Sequence, residues 1–200
     1  MSSDVAICNL ALSHLGADAT VASISPPDGS AEAGYCATFY SLARRTTLTA
    51  ANWGFARRRA TLAEMINDSD QWAFKYTLPN KCLHPRKVLM TGAADHPDRA
   101  GAPFELQDGA IYTNQVEAVL IYTIDVEDVS TFPPDFITAL SQILAGYLAG
   151  PIVKGIEGVR IGDAWSQKGF VSASRAAARE ANAALEPAEA LTPAPIAARQ

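Results

Sequence analysis

The densest chemistry in this sequence is basic. Arg44, Arg45, Arg57, Arg58 and Arg59 make up five of its sixteen lysines and arginines. A guanidinium carries five N–H donors in a rigid fork and stays charged at physiological pH, so a cluster of them suits carboxylates or phosphates. Two readings compete. Charge runs commonly form a solvated face, and cations late in a helix complement its dipole, which suits Arg44 and Arg45. The functional reading makes all five a partner-binding set for an acidic protein surface or a phosphate backbone. Carboxylates supply the other candidates. Glu64, Asp125 and Glu127 would be the acid/base groups of a small hydrolase, but that chemistry needs one carboxyl buried and shifted, and Asp125-Val126-Glu127-Asp128 reads more simply as a solvated exit loop. His14, His84 and His96 lack HxxxH or HExxH spacing, and there is no GxSxG, no phosphate-binding loop and no GxGxxG. Cys8, Cys36 and Cys82 include no CxxC pair; Cys8 and Cys36 fall on or beside apolar helix stripes, as small core residues do. Neither catalytic residues nor metal ligands nor a cofactor is expected.

A net charge of −5 argues against a protein that grips nucleic acid with its whole face, though not against one that DNA merely passes. Hydrophobic residues reach 48%, enough for a sizeable core. A helix at 136–149 is too short for a membrane span and is interrupted by Thr138, Ser141 and Gln142. The first ten residues lack the positive region of a signal peptide. A reducing interior and no membrane are the expectations.

The elements that must carry these residues can be read from period and punctuation. Residues 3–15 form a helix capped by Ser2 or Ser3, with Val5, Cys8, Leu12 and Leu15 inward. After a turn-rich loop, Ser30 caps a second helix with Tyr35, Phe39 and Leu42 inward, broken at Asn52-Trp53-Gly54-Phe55. Residues 55–66 read as an extended start followed by a turn. Alternation over 72–78 predicts a half-buried strand, and 88–90 a shorter one. Asp108-Gly109 between two apolar segments predicts a hairpin over 104–113, followed by a strand over 116–124. The result is a meander of four or five antiparallel strands. The face bearing Trp72, Phe74 and Tyr76 has no obvious helix to cover it.

The most apolar stretch, 132–150, follows. Pro133 and Pro134 suit a first helical turn, Phe136, Leu140, Ile143, Leu144, Tyr147 and Leu148 form one stripe, and Gly150-Pro151 reads as the stop. Ala139, Ala145, Gly146 and Ala149 let neighbouring backbones approach closely. Beyond it, Gly155, Gly158 and Gly162 space a loop. A last helix begins near Asp163, with Phe170, Ser174, Ala177, Ala181, Ala184 and Leu185 as its inward stripe. The predicted fold is α+β: a discontinuous bundle of about four helices from residues 1–54 and 131–186, an inserted antiparallel β domain over 55–130, and an extended Pro/Ala-rich tail over 187–200.

Five segments in order resemble the tail tubular protein A family, the head-to-tail adaptors of short-tailed bacteriophages: ICNLALSHLG (7–16), NWGFARRRATLA (52–63), WAFKYTLPNKCL (72–83), YTNQVEAVLIYT (112–123) and FPPDFITALSQILAGYLA (132–149). The likeness spans roughly residues 3–185, and the last helix follows it loosely. It implies a virion structural protein rather than an enzyme. Its subunits would form a ring, a dodecamer in the virion, between the portal protein and the tail nozzle protein, with double-stranded DNA passing transiently down the channel. The location implied is the virion neck, and the host cytoplasm during assembly.

Overall fold

The computed structural model describes residues 3–18, 20–90, 92 and 101–185, with the side chains of 182–185 left aside. The fold is α+β: among the described residues, four α-helices and two small antiparallel sheets. The 187–200 tail and most of the 92–103 loop lie outside the described residues.

Helix α1 (Asp4–His14) starts at Ser3, whose hydroxyl accepts from the Ala6 N–H, and it buries Ile7, Cys8, Ala11 and Leu12. Helix α2 (Ala31–Ala50) is capped by Ser30 in the same way, at the Ala33 N–H. Its buried face is Ala33, Cys36, Ala43, Arg44, Thr47 and Leu48. The expected inner face is therefore rotated: Tyr35 and Phe39 are half-buried, and Leu42 is 50% exposed. The aromatic residues sit at the margin of the core, where Phe39 stacks on Tyr147 at 6.1 Å.

Helix α3 (Pro134–Val153) has Phe136, Leu140, Ile143, Leu144 and Leu148 at or near zero exposure, as its period predicts. Two expectations about it are corrected. It does not stop at Gly150-Pro151 but runs on to Val153, with Pro151 in its last turn. Nor is it too short to span a bilayer: its 20 residues have the length and hydropathy to do so, and 56% of its apolar window is buried. The reversal comes at Lys154 and Gly155, both at positive φ.

Helix α4 (Gly155–Leu185) begins directly there, so the expected glycine-spaced loop and the start near Asp163 are both corrected. The face it buries is also not the one expected. Gly158, Gly162, Gly169, Ala173 and Ala176 are buried, while Phe170, Ser174 and Ala181 face outward. A Cβ on Gly162 would stand 2.8 Å from the Gly146 carbonyl oxygen, and one on Gly158 2.9 Å from that of Ala149. The glycines are there because α3 and α4 pack backbone against backbone.

Among the described residues, seven strands lie between α2 and α3: β1 (Arg57–Thr61), β2 (Glu64–Met65), β3 (Phe74–Thr77), β4 (Cys82–Leu89), β5 (Phe104–Gln107), β6 (Ala110–Thr113) and β7 (Val119–Ile124). They do not form one meander. β1, β7 and β4 make a three-stranded sheet, and β2, β3, β6 and β5 a four-stranded one. Leu62, Tyr76, Val88, Ile111, Leu120 and Tyr122 from both sheets form one apolar cluster, which buries the Tyr76 face that seemed to lack a cover. The hairpin prediction holds: Gln107 pairs with Ala110 across Asp108-Gly109, both at positive φ, as a two-residue turn of the primed type requires. Strand β4 is longer than the 88–90 predicted because it tolerates Pro85 at a sheet edge.

Candidate partner-binding surface

The five arginines do not share one environment. Arg44 points inward from α2. Its Nη1 lies 2.7 Å from Asp125 Oδ1 and also donates to the Val126 carbonyl. Its side chain is 8% exposed and that of Asp125 19%. This is an internal clasp between α2 and the chain leaving β7, and it departs from the partner-binding reading. Arg45, one residue on, turns outward, with Nε 3.6 Å from the other oxygen of Asp125. It lines a shallow groove of about 350 Å³ with Ser41, Leu42, Thr46 and Thr49 on the outer side of α2.

Arg57, Arg58 and Arg59 form the start of β1, an edge strand of the three-stranded sheet. Arg58 donates to the Phe55 and Arg57 carbonyls, and Arg58 and Arg59 are exposed. Arg57 pairs with Thr123, two residues before Asp125, so β1's basic start and Arg45 flank the same end of β7. An edge strand presents unpaired backbone groups, and charged side chains on it discourage promiscuous strand pairing. The same charges leave an exposed, rigidly mounted basic edge open to an acidic partner.

The carboxylates named as hydrolase candidates are dispersed. Glu64 opposes Tyr76 in the four-stranded sheet, Asp125 is held by Arg44, and Glu127 is exposed beyond β7. A different acidic concavity, of about 430 Å³, is lined by Asp68, Asp70, Glu105, Asp108 and Tyr112. There Lys75 Nζ lies 2.8 Å from both Asp68 oxygens and the Tyr112 hydroxyl donates to one of them, which lowers the Asp68 carboxyl below its ordinary range. A scan against protein-family models and a search of curated proteins find no match to this chain.

Two polar assemblies went unnoticed in the sequence. His14 Nε2 sits 3.2 Å from Ser141 Oγ, and its ring stacks on Trp165 at 4.4 Å. The pair resembles a nucleophile and its base, but Ser141 is fully buried and its hydroxyl donates to the Thr138 carbonyl, so the proton is directed away from the imidazole. Arg86 is the extra residue of a β-bulge in β4, between Pro85 opposite Tyr122 and Lys87 opposite Ile121. The bulge aims its guanidinium at the end of α2, where Nη2 donates to the carbonyls of Leu48, Thr49 and Ala51 and Nε donates to Thr123 Oγ1. Four orphan carbonyls end every helix, and here a sheet residue satisfies part of that need. An apparently unremarkable arginine before a lysine gave no signal of this; only the register of β4 against β7 reveals it.

Proposed function

We propose that this chain is a virion structural protein, a head-to-tail adaptor whose copies join the portal protein to the tail nozzle protein and line part of the DNA channel. The observation that carries the reading is that the five resembling segments fall, in order, on α1, on the α2–β1 junction, on β3–β4, on β6–β7 and on α3. They fall on two of the four helices, α1 and α3, and on strands of both sheets, in line with the helical bundle and small β domain that the resemblance implies.

Two physical features support it. The chain's net charge of −5 suits a wall along which DNA slides without being held. The basic edge at Arg58 and Arg59, with Arg45 beside it, supplies a small patch of opposite sign with which to meet an acidic protein surface.

The test is electron microscopy of the chain mixed with its cognate portal. Ring-shaped density on one portal face is the expected result, and no association at micromolar concentrations overturns the proposal. In a second arm, Arg58→Glu with Arg59→Glu should leave the thermal transition of the free chain unchanged while abolishing assembly. Normal assembly of that variant would return the two arginines to a solvated role.

A further inference from the structure

The two packed sheets carry charge of opposite sign on their two sides. β1 and β2 are joined by Leu62 and Ala63 alone, so one edge of each sheet lies there. On the other side Val88 of β4 bridges Ala102, two residues before β5, so the remaining two edges also lie together. β1 and β5 are therefore edge strands on opposite sides of the apolar cluster that the sheets share.

The β1 side exposes Arg58 and Arg59, with Arg45 beside them. The β5 side exposes Glu105 and Asp108, which line the concavity of about 430 Å³ with Asp68 and Asp70. Lys75 neutralises Asp68 there, while Glu105 accepts from the neutral Trp72 indole at 2.9 Å and keeps its charge. Beside Glu105, Leu106 is 51% exposed and gives this edge an apolar centre. We propose that the Arg58–Arg59 edge of one copy docks on the Glu105–Asp108 edge of a second copy, which rests on reading the basic edge as a partner surface and names that partner as this same chain.

Each edge strand leaves one row of N–H and C=O groups without a strand partner among the described residues. β1 against β1 would bring arginines together, and β5 against β5 would bring carboxylates together. Only β1 against β5 sets opposite charges face to face, so the charge pattern rejects both symmetric dimers. Because the edges lie on opposite sides, a copy bound through its basic edge keeps its acidic edge open for the next. The contact is heterologous, and copies join head to tail instead of about a two-fold axis. Exposed charges are screened beyond about 10 Å at 0.1 M salt, so the contact must weaken as salt rises.

The free full-length chain, without portal, should be followed by sedimentation velocity from about 10 µM to about 1 mM. The expected result is a sedimentation coefficient that rises with concentration at about 20 mM salt, with an apparent Kd at least about tenfold weaker at about 500 mM. Arg58→Glu with Arg59→Glu, and separately Asp70→Lys with Glu105→Lys, should each stay monomeric, because each then has two edges of one sign. Mixed, the two variants should associate again, since every edge of one faces an opposite edge of the other. Thermal transitions check that each variant is folded; should the lysine variant not be, Asp70→Asn with Glu105→Gln takes its place and should weaken association about tenfold. An unaltered chain that stays monomeric throughout, a variant that associates as the unaltered chain does, or a mixture that stays monomeric each overturns the contact. Portal assembly lost in the arginine variant, with no self-association of the free chain, would mean that the arginines meet a different protein; that result overturns this contact and leaves the basic edge a partner surface.

Discussion

Along the side of α3 that meets the end of α2, side chains do the filling. Phe136 lies edge-on to Trp53 at 5.1 Å, to Phe55 at 5.0 Å and to Phe132 at 4.7 Å, and the Trp53 indole donates to the Thr47 carbonyl. Along the side that meets α4, side chains are missing. Gly146 faces Gly162 and Ser166, Gly158 faces Ala149, and Gly169 faces Ile143 and Ala139. The first interface removes apolar area from water through large groups. The second gains by dispersion between backbones brought close together. One helix thus uses both methods, and they leave opposite marks in the sequence: large residues at helical spacing on one side, glycines at helical spacing on the other.

The largest effect that would test this contrast is expected from Phe136→Ala. The residue is fully buried and touches three rings, so truncation should cost about 3–5 kcal/mol in a denaturant titration. A cost near zero would mean that the aromatic cluster is not the support of this end of the bundle. Next comes Arg86→Met, which keeps much of the stem but strands the carbonyls of Leu48, Thr49 and Ala51. Hydrogen bonds to a charged donor contribute about 1.5–3 kcal/mol, so a loss of about 2–3 kcal/mol is expected. If only the sheet, not α2, loses hydrogen-exchange protection, the link between the two is not mechanical.

The glycine interface predicts a difference of sign. Gly162→Ala places a methyl 2.8 Å from a backbone carbonyl and should destabilise by about 1–3 kcal/mol, because the two helices must separate. Gly150→Ala, in the same hairpin, meets nothing within 4 Å and should stabilise by about 0.5–1 kcal/mol through the unfolded chain. If both substitutions stabilise, the close approach is not what holds α4.

These residues also mark where the sequence was legible. The Phe136–Leu148 stripe, the Ser3 and Ser30 caps and the Asp108-Gly109 turn all act within a few residues of themselves, so local rules found them. The small residues of α3 were readable as an invitation to close approach, but the matching Gly158 and Gly162 read as loop, because a glycine's local signal is the same whether it bends a chain or admits a neighbour. Leu42 faced outward because the helix it would have packed against lies on another side of α2. The division of the arginines was out of reach for a different reason: Arg44 and Arg45 are adjacent in sequence, and only the placement of Asp125 decides which is inside.

The smallest effect expected is on pH dependence, and it concerns the place where α1, α3 and α4 meet. His14 stacks on Trp165 while its Nε2 reaches Ser141, and Lys168 Nζ lies 4.3 Å from the centre of the same indole. Burial first, and the Lys168 charge second, push the imidazole below its ordinary value of 6.5. The folded state therefore binds this proton more weakly than the unfolded chain does. Above 6.5 the ring is neutral in both states and stability is at its full value; as the pH falls through 6.5 and then through the lower folded value, the unfolded state gains and stability declines. His84 moves in the same direction, through burial and Arg86, so the unaltered chain sums both contributions. Thermal transitions recorded from pH 7.5 down to pH 5 should fall, and His14→Gln should flatten part of that slope while lowering the value at pH 7.5 slightly. Lys168→Gln should also flatten it, by removing the second cause alone. A slope unchanged by both substitutions would assign the acid sensitivity to His84 and leave the α1–α3–α4 junction electrostatically silent.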